Sequence, residues 1–151
     1  MRIVRSKLWK EPRIAGMIIR NSPVLDPTIL LDNPTIYFIV KKDELVAFLA
    51  IKKHSRVYEL KSVYTCLSYR NKGYMRILIN LAVKEHPHIY LICKSNLVHF
   101  YKKFGFYETD IAPPILLFKR NLFNLFCFLF DTRAVILIKT QQIKIKNRNK
   151  K

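Results

Sequence analysis

The sequence of 151 residues predicts one main domain of the α/β (α+β) class, with a mixed, mostly antiparallel central sheet flanked by helices. Three apolar, β-branched runs at 35–40, 45–51 and 57–65 are separated only by short polar turns, which is typical of antiparallel hairpins. Two later segments, 73–85 and 96–104, space their apolar residues like one face of a helix. Strands that come first and then alternate with helices predict helices packed against a sheet.

The elements before the first hairpin have weaker signals. Residues 1–5 are predicted as a short strand. A helix over 12–21 is predicted because its proline suits the first helical position and apolar residues follow at i, i+3 and i+4; these are Pro12, Ile14, Met17 and Ile18. Three prolines between 22 and 34 predict a loop with one short turn of helix.

The second half is predicted to complete the same sheet. A strand at 89–93 follows the first long helix, and Gly105 suits the end of the second helix. Residues 106–109 and 115–120 are then predicted as a closing pair of strands.

A C-terminal extension is predicted beyond the main domain, so we expect the boundary between 1–120 and 121–151. Its apolar part predicts an added strand or helix that covers a sheet edge or a partner subunit. Its last twelve residues are basic and are predicted to be disordered. No apolar run in it reaches the roughly 20 residues that a membrane span needs.

The chain is strongly basic, with a formal net charge of +18, which favours anionic partners such as phosphate groups, nucleic acids or acidic membranes. A genomic bias explains the charge equally well. Lys, Ile, Phe, Asn and Tyr supply 63 of the 151 residues, and an AT-rich genome produces that skew.

No metal site and no secretion are expected. The three cysteines, Cys66, Cys93 and Cys127, are odd in number and form no Cys-x-x-Cys pair, which predicts a reducing compartment without zinc. His86 and His88 lack further ligands at a suitable spacing. The first residues contain no apolar core of signal-peptide length.

Two short motifs carry most of the functional information. The segment 69–76, Tyr-Arg-Asn-Lys-Gly-Tyr-Met-Arg, is a basic turn between a predicted strand and a predicted helix. Such a turn directs backbone N–H groups and positive charge at an anion, usually a phosphate, although a solvated basic turn has the same pattern. The segment 100–106, Phe-Tyr-Lys-Lys-Phe-Gly-Phe, ends the second predicted helix at a glycine.

Together the two motifs resemble the acetyl-CoA-binding core of the GCN5-related N-acetyltransferase (GNAT) superfamily. The chain departs from the family's phosphate-loop motif, Arg/Gln-x-x-Gly-x-Gly/Ala, at the last position, which is Met75. Leu67 also stands where the family commonly has proline. The resemblance implies acetyl-CoA as the acetyl donor, no metal, and a pyrophosphate held by Arg70, Asn71, Lys72, Gly73, Tyr74 and Met75.

The resemblance also implies roles for residues outside the loop. Backbone amides of Val63, Tyr64 and Thr65 would hold the thioester carbonyl and the pantetheine arm, to which Ser95 or Asn96 would hydrogen-bond. Tyr101 would be the general acid that protonates the leaving CoA sulfur. An ordinary core aromatic on an amphipathic helix is the alternative for Tyr101.

Glu59 is the candidate general base, because it lies eleven residues before Arg70, the offset of the base in histone-type members. A glutamate inside an apolar strand is costly to bury unless it is paired or used. A solvent-facing strand position for Glu59, or a water chain as the proton path, stays open.

The function that the resemblance implies is transfer of an acetyl group to a primary amine of a small molecule or a protein by the domain at 1–120. The composition also resembles that of acetyltransferases encoded in red-algal plastid genomes, so a plastid stroma or a bacterial-type cytoplasm is expected. A homodimer is compatible with the sequence, and no specific nucleic acid or membrane span is expected. Two other classes stay open: a basic nucleic-acid- or ribosome-associated protein, and a non-catalytic acyl-CoA-binding module of the same fold.

Overall fold

The structure is a computed structural model that describes residues 1–21, 28–55, 57–127 and 132–140. Within these ranges, seven strands form one sheet in the order β1-β2-β3-β4-β5-β7-β6. The strands are β1 Arg2–Lys7, β2 Thr35–Lys41, β3 Glu44–His54, β4 Val57–Thr65, β5 His88–Lys94, β6 Tyr107–Glu108 and β7 Ala134–Thr140. The helices are α1 Pro12–Asn21, α2 Thr28–Asp32, α3 Tyr74–Glu85, α4 Val98–Lys102 and α5 Pro114–Cys127.

The sheet is mixed and mostly antiparallel, as predicted. Strands β1 to β4 form an antiparallel meander, and β5 pairs antiparallel with β7 from His88↔Thr140 to Lys94↔Ala134. Strands β4 and β5 are the parallel pair, and they pair only at Tyr58↔Ile89 and Glu59↔Tyr90. Both strands continue beyond these residues, so a gap opens between them.

Each face of the sheet carries its own apolar core. Helix α3 covers one face because its buried residues recur at i, i+3, i+4, i+7 and i+8; they are Met75, Leu78, Ile79, Ala82 and Val83. Helices α1 and α2 cover the other face, where Ile18 and Ile29 pack with Phe48. The predicted helix 12–21 is confirmed by α1, and α2 supplies the helical turn predicted within 22–34. Residues 22–27 of that loop lie outside the described ranges.

The second predicted helix is shorter than expected. Residues Ser95–Leu97 form a 3-10 turn, and α4 follows it over Val98–Lys102. The peptide N–H of Gly105 donates to the carbonyl of Lys102 at 2.9 Å, and the φ of Gly105 is +82°. A left-handed residue at this point ends a helix, and glycine adopts it without strain.

The strand predicted at 115–120 is wrong, because this segment belongs to helix α5. Pro114 occupies the first helical position, and the carbonyl of Pro113 accepts from the amides of Leu116 and Leu117 at 2.9 and 3.1 Å. The helix is apolar on both sides, since Leu116 is buried while Phe118 is exposed. An apolar run without a polar face conceals the helical period.

The partner of β6 is instead β7, with Tyr107 opposite Ile138. The predicted boundary at residue 120 falls inside α5, and β7 lies between β5 and β6 in the sheet. Asn124 of α5 fixes the start of β7, because its side chain accepts from the Ala134 amide and donates to the Ala134 carbonyl.

Two further expectations concern the C-terminal residues and membrane-spanning helices. The disorder predicted for the last twelve residues falls, apart from Thr140, outside the described ranges. Among the helices of the described ranges, none is long and apolar enough to cross a membrane.

Candidate active site

The gap between β4 and β5 is flanked by predicted site residues from both strands. Val63, Tyr64 and Thr65 lie on β4 beyond its pairing with β5, and they pair with β3 on their other side. Half-buried Ser95 and exposed Asn96 begin the 3-10 turn at the end of β5. An extended molecule inserted into the gap would therefore meet β4 backbone on one side and this turn on the other.

The basic turn after β4 is held in shape by its own side chains. The Arg70 Nε donates to the carbonyl of Thr65 at 3.3 Å, and the Lys72 Nζ donates to the carbonyl of Ser68 at 2.9 Å. Two residues of the turn have left-handed backbone, Asn71 at φ +60° and Gly73 at φ +79°. Gly73 then serves as the N-cap of α3.

The amides of residues 71–76 are the candidate anion-binding groups of this turn. In the described part of the chain, none of them donates to a protein acceptor, and α3 has no side-chain cap. Free N–H groups at a helix start, next to lysine and arginine, suit a phosphate. Met75 departs from the family motif without obstruction, because its side chain is buried in the core with α3.

Two more cations lie close to this turn. The Arg76 guanidinium is 5.9 Å from the ring centroid of Phe104, and the Lys139 amine donates to the carbonyl of Phe104. Burial, together with the Arg76 charge, lowers the pKa of Lys139. Arg76 belongs to the motif visible in the sequence, whereas Lys139 comes from β7 and has no local signal.

Tyr101 lies on the α3 side of the sheet in an apolar setting. Its ring packs edge-to-face against Phe100 and Phe106, with centroids 5.1 and 6.0 Å away. Burial, with a smaller contribution from Cys93 of β5, raises the pKa of Tyr101 well above its ordinary value. Burial also raises the pKa of Cys93 to about 12. The phenol therefore keeps its proton at neutral pH.

Glu59 lies on the opposite face of the sheet and is buried within an ion-pair cluster. Its neighbours Tyr58 and Leu60 pack with the α3 core, so the intervening side chain faces the α2 side. The Glu59 Oε2 is 2.5 Å from the His54 Nε2 and 2.6 Å from the Lys119 Nζ. The solvent-facing alternative for Glu59 is wrong, because its side chain is only 6% exposed.

A second carboxylate, the half-buried side chain of Asp32 in α2, extends the cluster. The Lys52 Nζ lies 2.5 Å from its Oδ1, and the Lys61 Nζ lies 3.7 Å from its Oδ2. Burial acts to raise the pKa of Asp32, but the hydrogen bond and charge of Lys52 and the charges of Lys61 and Lys119 lower it overall. Both carboxylates are thus paired.

Sequence reasoning missed two of the residues around Glu59. His54 has a weak signal, because a tight β3–β4 turn puts it diagonally across from Glu59 on one face. Lys119 has none, since it lies 60 residues away in a segment whose helical form was not predicted.

The histidines considered as metal ligands have another environment. His86 is buried, and its Nε2 lies 3.0 Å from the Tyr37 hydroxyl, which also donates to Glu85 at 2.8 Å. Burial lowers the pKa of His86. Among the residues that the structure describes, no group of three or more His, Cys, Asp or Glu side chains could hold a metal ion.

Comparison with known proteins identifies the family. The model of the acetyltransferase (GNAT) family matches residues 4–106. The chain belongs to the GNAT family. It is therefore an acetyl-CoA-dependent N-acetyltransferase, and the enzyme prediction is confirmed. None of the curated proteins matches the chain.

Solved structures share the GNAT fold at low sequence identity. The ribosomal-protein-S18-alanine N-acetyltransferase of Escherichia coli is 16% identical, with a TM-score of 0.63 over 97% of this chain and 98% of that one. An aminoglycoside 6'-N-acetyltransferase in complex with coenzyme A is 17% identical, with a TM-score of 0.64 over 93% and 97%.

A candidate streptothricin acetyltransferase of Bacillus anthracis, in complex with acetyl coenzyme A, is 21% identical. Its TM-score is 0.56 over 72% of this chain, which spans only 62% of that protein. At these identities the structural matches establish the fold alone.

The backbone of the turn leads to a first prediction. Gly73→Ala should lower the free energy of unfolding by about 1–2 kcal/mol, because alanine is strained at a φ of +79°. Gly16→Ala is the matched control, because neither position has an atom within 4 Å of the added Cβ. At the exposed position 16 of helix α1, that control should raise the stability by about 0.5–1 kcal/mol. Urea unfolding measures both changes, and a stabilising Gly73→Ala would contradict the left-handed turn.

Proposed function

We propose that the acetyl-CoA donor lies in the gap between β4 and β5, with Tyr101 as general acid and Glu59 as general base. The observation that carries the proposal is the short β4–β5 pairing, which ends at Glu59 while both strands continue. An acetyl group in the gap can be reached from the Tyr101 face and from the Glu59 face. The two groups then act on opposite sides of one thioester.

The pyrophosphate is bound by the turn from Arg70 to Met75. Support comes from the amides of 71–76, which have no acceptor among the described residues, and from the cations beside them. The pantetheine arm follows the backbone of Val63, Tyr64 and Thr65, and Ser95 or Asn96 hydrogen-bonds it from the other side. Two structural neighbours are complexes with acetyl coenzyme A or coenzyme A, which agrees with this donor.

Tyr101 protonates the thiolate that leaves when the thioester breaks. A phenol whose pKa is raised by burial holds its proton until a stronger base, such as a developing thiolate, forms beside it. Glu59 accepts the proton that the acceptor amine must lose, and His54 at 2.5 Å passes it towards the β3–β4 turn. A water chain is the alternative path for this proton.

The acceptor is a primary amine of a small molecule or a protein. Neighbours with the same fold are named for very different acceptors, a ribosomal protein and aminoglycosides, so the fold does not select among them. The buried carboxylate of Glu59 suits an amine that arrives as a cation. We place the enzyme in a plastid stroma or a bacterial-type cytoplasm on the strength of its composition alone.

The outer face of α5 is where a second copy would dock. Ile115, Phe118, Leu122 and Leu125 lie on one side of the helix at spacings of three, four and three residues, and are 45–72% exposed. This is the spacing of an apolar seam between two helices. Two copies of α5 packed against each other would cover it.

The donor site leads to a second prediction. Calorimetry should show tighter binding of acetyl-CoA than of acetyl-pantetheine, which lacks the pyrophosphate. Gly73→Asp should abolish the binding of acetyl-CoA, because it places a carboxylate beside the phosphates. Gly73→Ala carries the same backbone strain without the charge and should retain most of the affinity. Equal affinities for the two ligands would remove the phosphate role of the turn.

The third prediction tests the acid, with thiol release from acetyl-CoA measured against a panel of amines and lysine peptides. Tyr101→Phe should lower kcat by roughly 10²–10⁴-fold while acetyl-CoA affinity changes only a few-fold, because only a proton donor is lost. Tyr107→Phe, at an exposed tyrosine on β6, is the control and should retain full activity. An unchanged kcat for Tyr101→Phe would make Tyr101 a core aromatic.

The fourth prediction concerns the dimer. Sedimentation equilibrium of the full chain should show a concentration-dependent dimer that Phe118→Ser weakens, because the seam loses its largest exposed ring. Leu31→Ser removes an equally apolar, 86% exposed side chain from α2 and should leave the dimer intact. A monomer at every concentration would exclude this role for α5.

A further inference from the structure

Lys119 occupies the position that an acceptor amine needs. Its Nζ is 2.6 Å from the Oε2 of Glu59, the proposed base. A general base must lie within about 2.6–3.2 Å of the group whose proton it removes. Lys119 is also a primary amine on an unbranched chain, which is the chemical class of the proposed acceptor.

The fold puts this amine on the acceptor side of the site. Glu59 is the last residue of β4 that pairs with β5, so its carboxylate lies where the gap begins. Lys119 approaches it from α5, on the face of the sheet away from Tyr101. The neighbouring lysines, Lys52 and Lys61, are half-buried and contact the carboxylate of Asp32.

A proton route leads away from the pair. The His54 Nε2 lies 2.5 Å from the same carboxylate oxygen that Lys119 contacts. His54 is at the end of β3, next to the turn into β4, and its side chain is 13% exposed. A proton taken from Lys119 by Glu59 can therefore leave through His54 towards solvent.

We propose that Lys119 is an internal acceptor, which the enzyme acetylates within the same molecule. This inference rests on the proposed function, because it uses the same donor, base and acid. The protonated amine first gives a proton to Glu59. Its nitrogen then attacks the thioester carbonyl, the C–N bond forms and the C–S bond breaks. The thiolate takes a proton from Tyr101, and the nitrogen loses its second proton to solvent, which returns one proton to Tyr101. After Tyr101 is reprotonated, the products are Nε-acetyl-lysine, CoA thiol and one proton released to solvent.

The main test needs no variant. The full chain is incubated with acetyl-CoA and no added amine, and acetylation is located by peptide mass spectrometry. Lys119 should become acetylated with a first-order rate that does not depend on protein concentration. Lys102, whose side chain is 55% exposed, should show only slow background acetylation. Equal modification of the two lysines, or a Lys119 rate that rises with protein concentration, would overturn the inference.

Three variants separate catalysis from a plain buried ion pair. Glu59→Gln should slow acetylation of Lys119 by roughly 10²-fold, as expected for loss of a general base, and leave the Lys102 background unchanged. Lys119→Arg keeps the cation beside Glu59 and should remove the mark at this position. Lys52→Arg is the matched control at the neighbouring, half-buried ion pair with Asp32 and should leave the Lys119 rate at the wild-type value. If Glu59→Gln fails to fold, the acetylation rates of Lys119 and Lys102 in the wild-type protein still test the inference.

Thiol release in the presence of external amines distinguishes failure of the internal-acceptor inference from failure of the proposed function. Thiol release with an external amine, together with unmodified Lys119, overturns the internal acceptor alone. Absence of thiol release with every amine tested, together with unmodified Lys119, overturns the proposed function as well.

Discussion

The early separation of β4 from β5 is the constraint on which the rest of the candidate site depends. Each strand is secured on its other side, β4 by β3 over its whole length and β5 by β7 over its whole length. The inner edges can therefore separate after two residue pairs without loss of the sheet. Separation leaves backbone N–H and C=O groups without strand partners, and such groups need another partner. An extended amide-bearing arm supplies one in the manner of an added strand.

The two faces beside this gap differ in a way that suits acyl transfer. The Tyr101 face is apolar, and burial raises the pKa of both Tyr101 and Cys93. A neutral donor is stable there. The Glu59 face is charged, with carboxylates held by lysines and a histidine. The proposed acid, Tyr101, and the proposed base, Glu59, are thereby separated by the thickness of one sheet.

The sequence was sufficient to predict those elements whose structure is determined by local patterns. The hairpins of β2 to β4, the helix α3 and the glycine turn at Gly73 all follow from residues close together in the chain. Helix α5 was missed because buried Leu116 and exposed Phe118 both belong to a continuous apolar run over 115–118, which is equally typical of a strand. Lys119 was missed for the same reason, because its contact with Glu59 depends on α5 being a helix packed on the sheet. Contacts between distant segments have no signal in composition or spacing.

The basic composition acquires a structural role at this cluster. With 28 Lys and Arg against 10 Asp and Glu, the chain supplies lysines to both carboxylates of this cluster, Lys119 to Glu59 and Lys52 and Lys61 to Asp32. Removing one partner of a buried ion pair costs about 3–5 kcal/mol, because the remaining charge stays desolvated. Glu59 therefore constrains α5, since Lys119 offsets its charge only from that helix. A change that displaces α5 must therefore also change the electrostatic environment of Glu59, the proposed base.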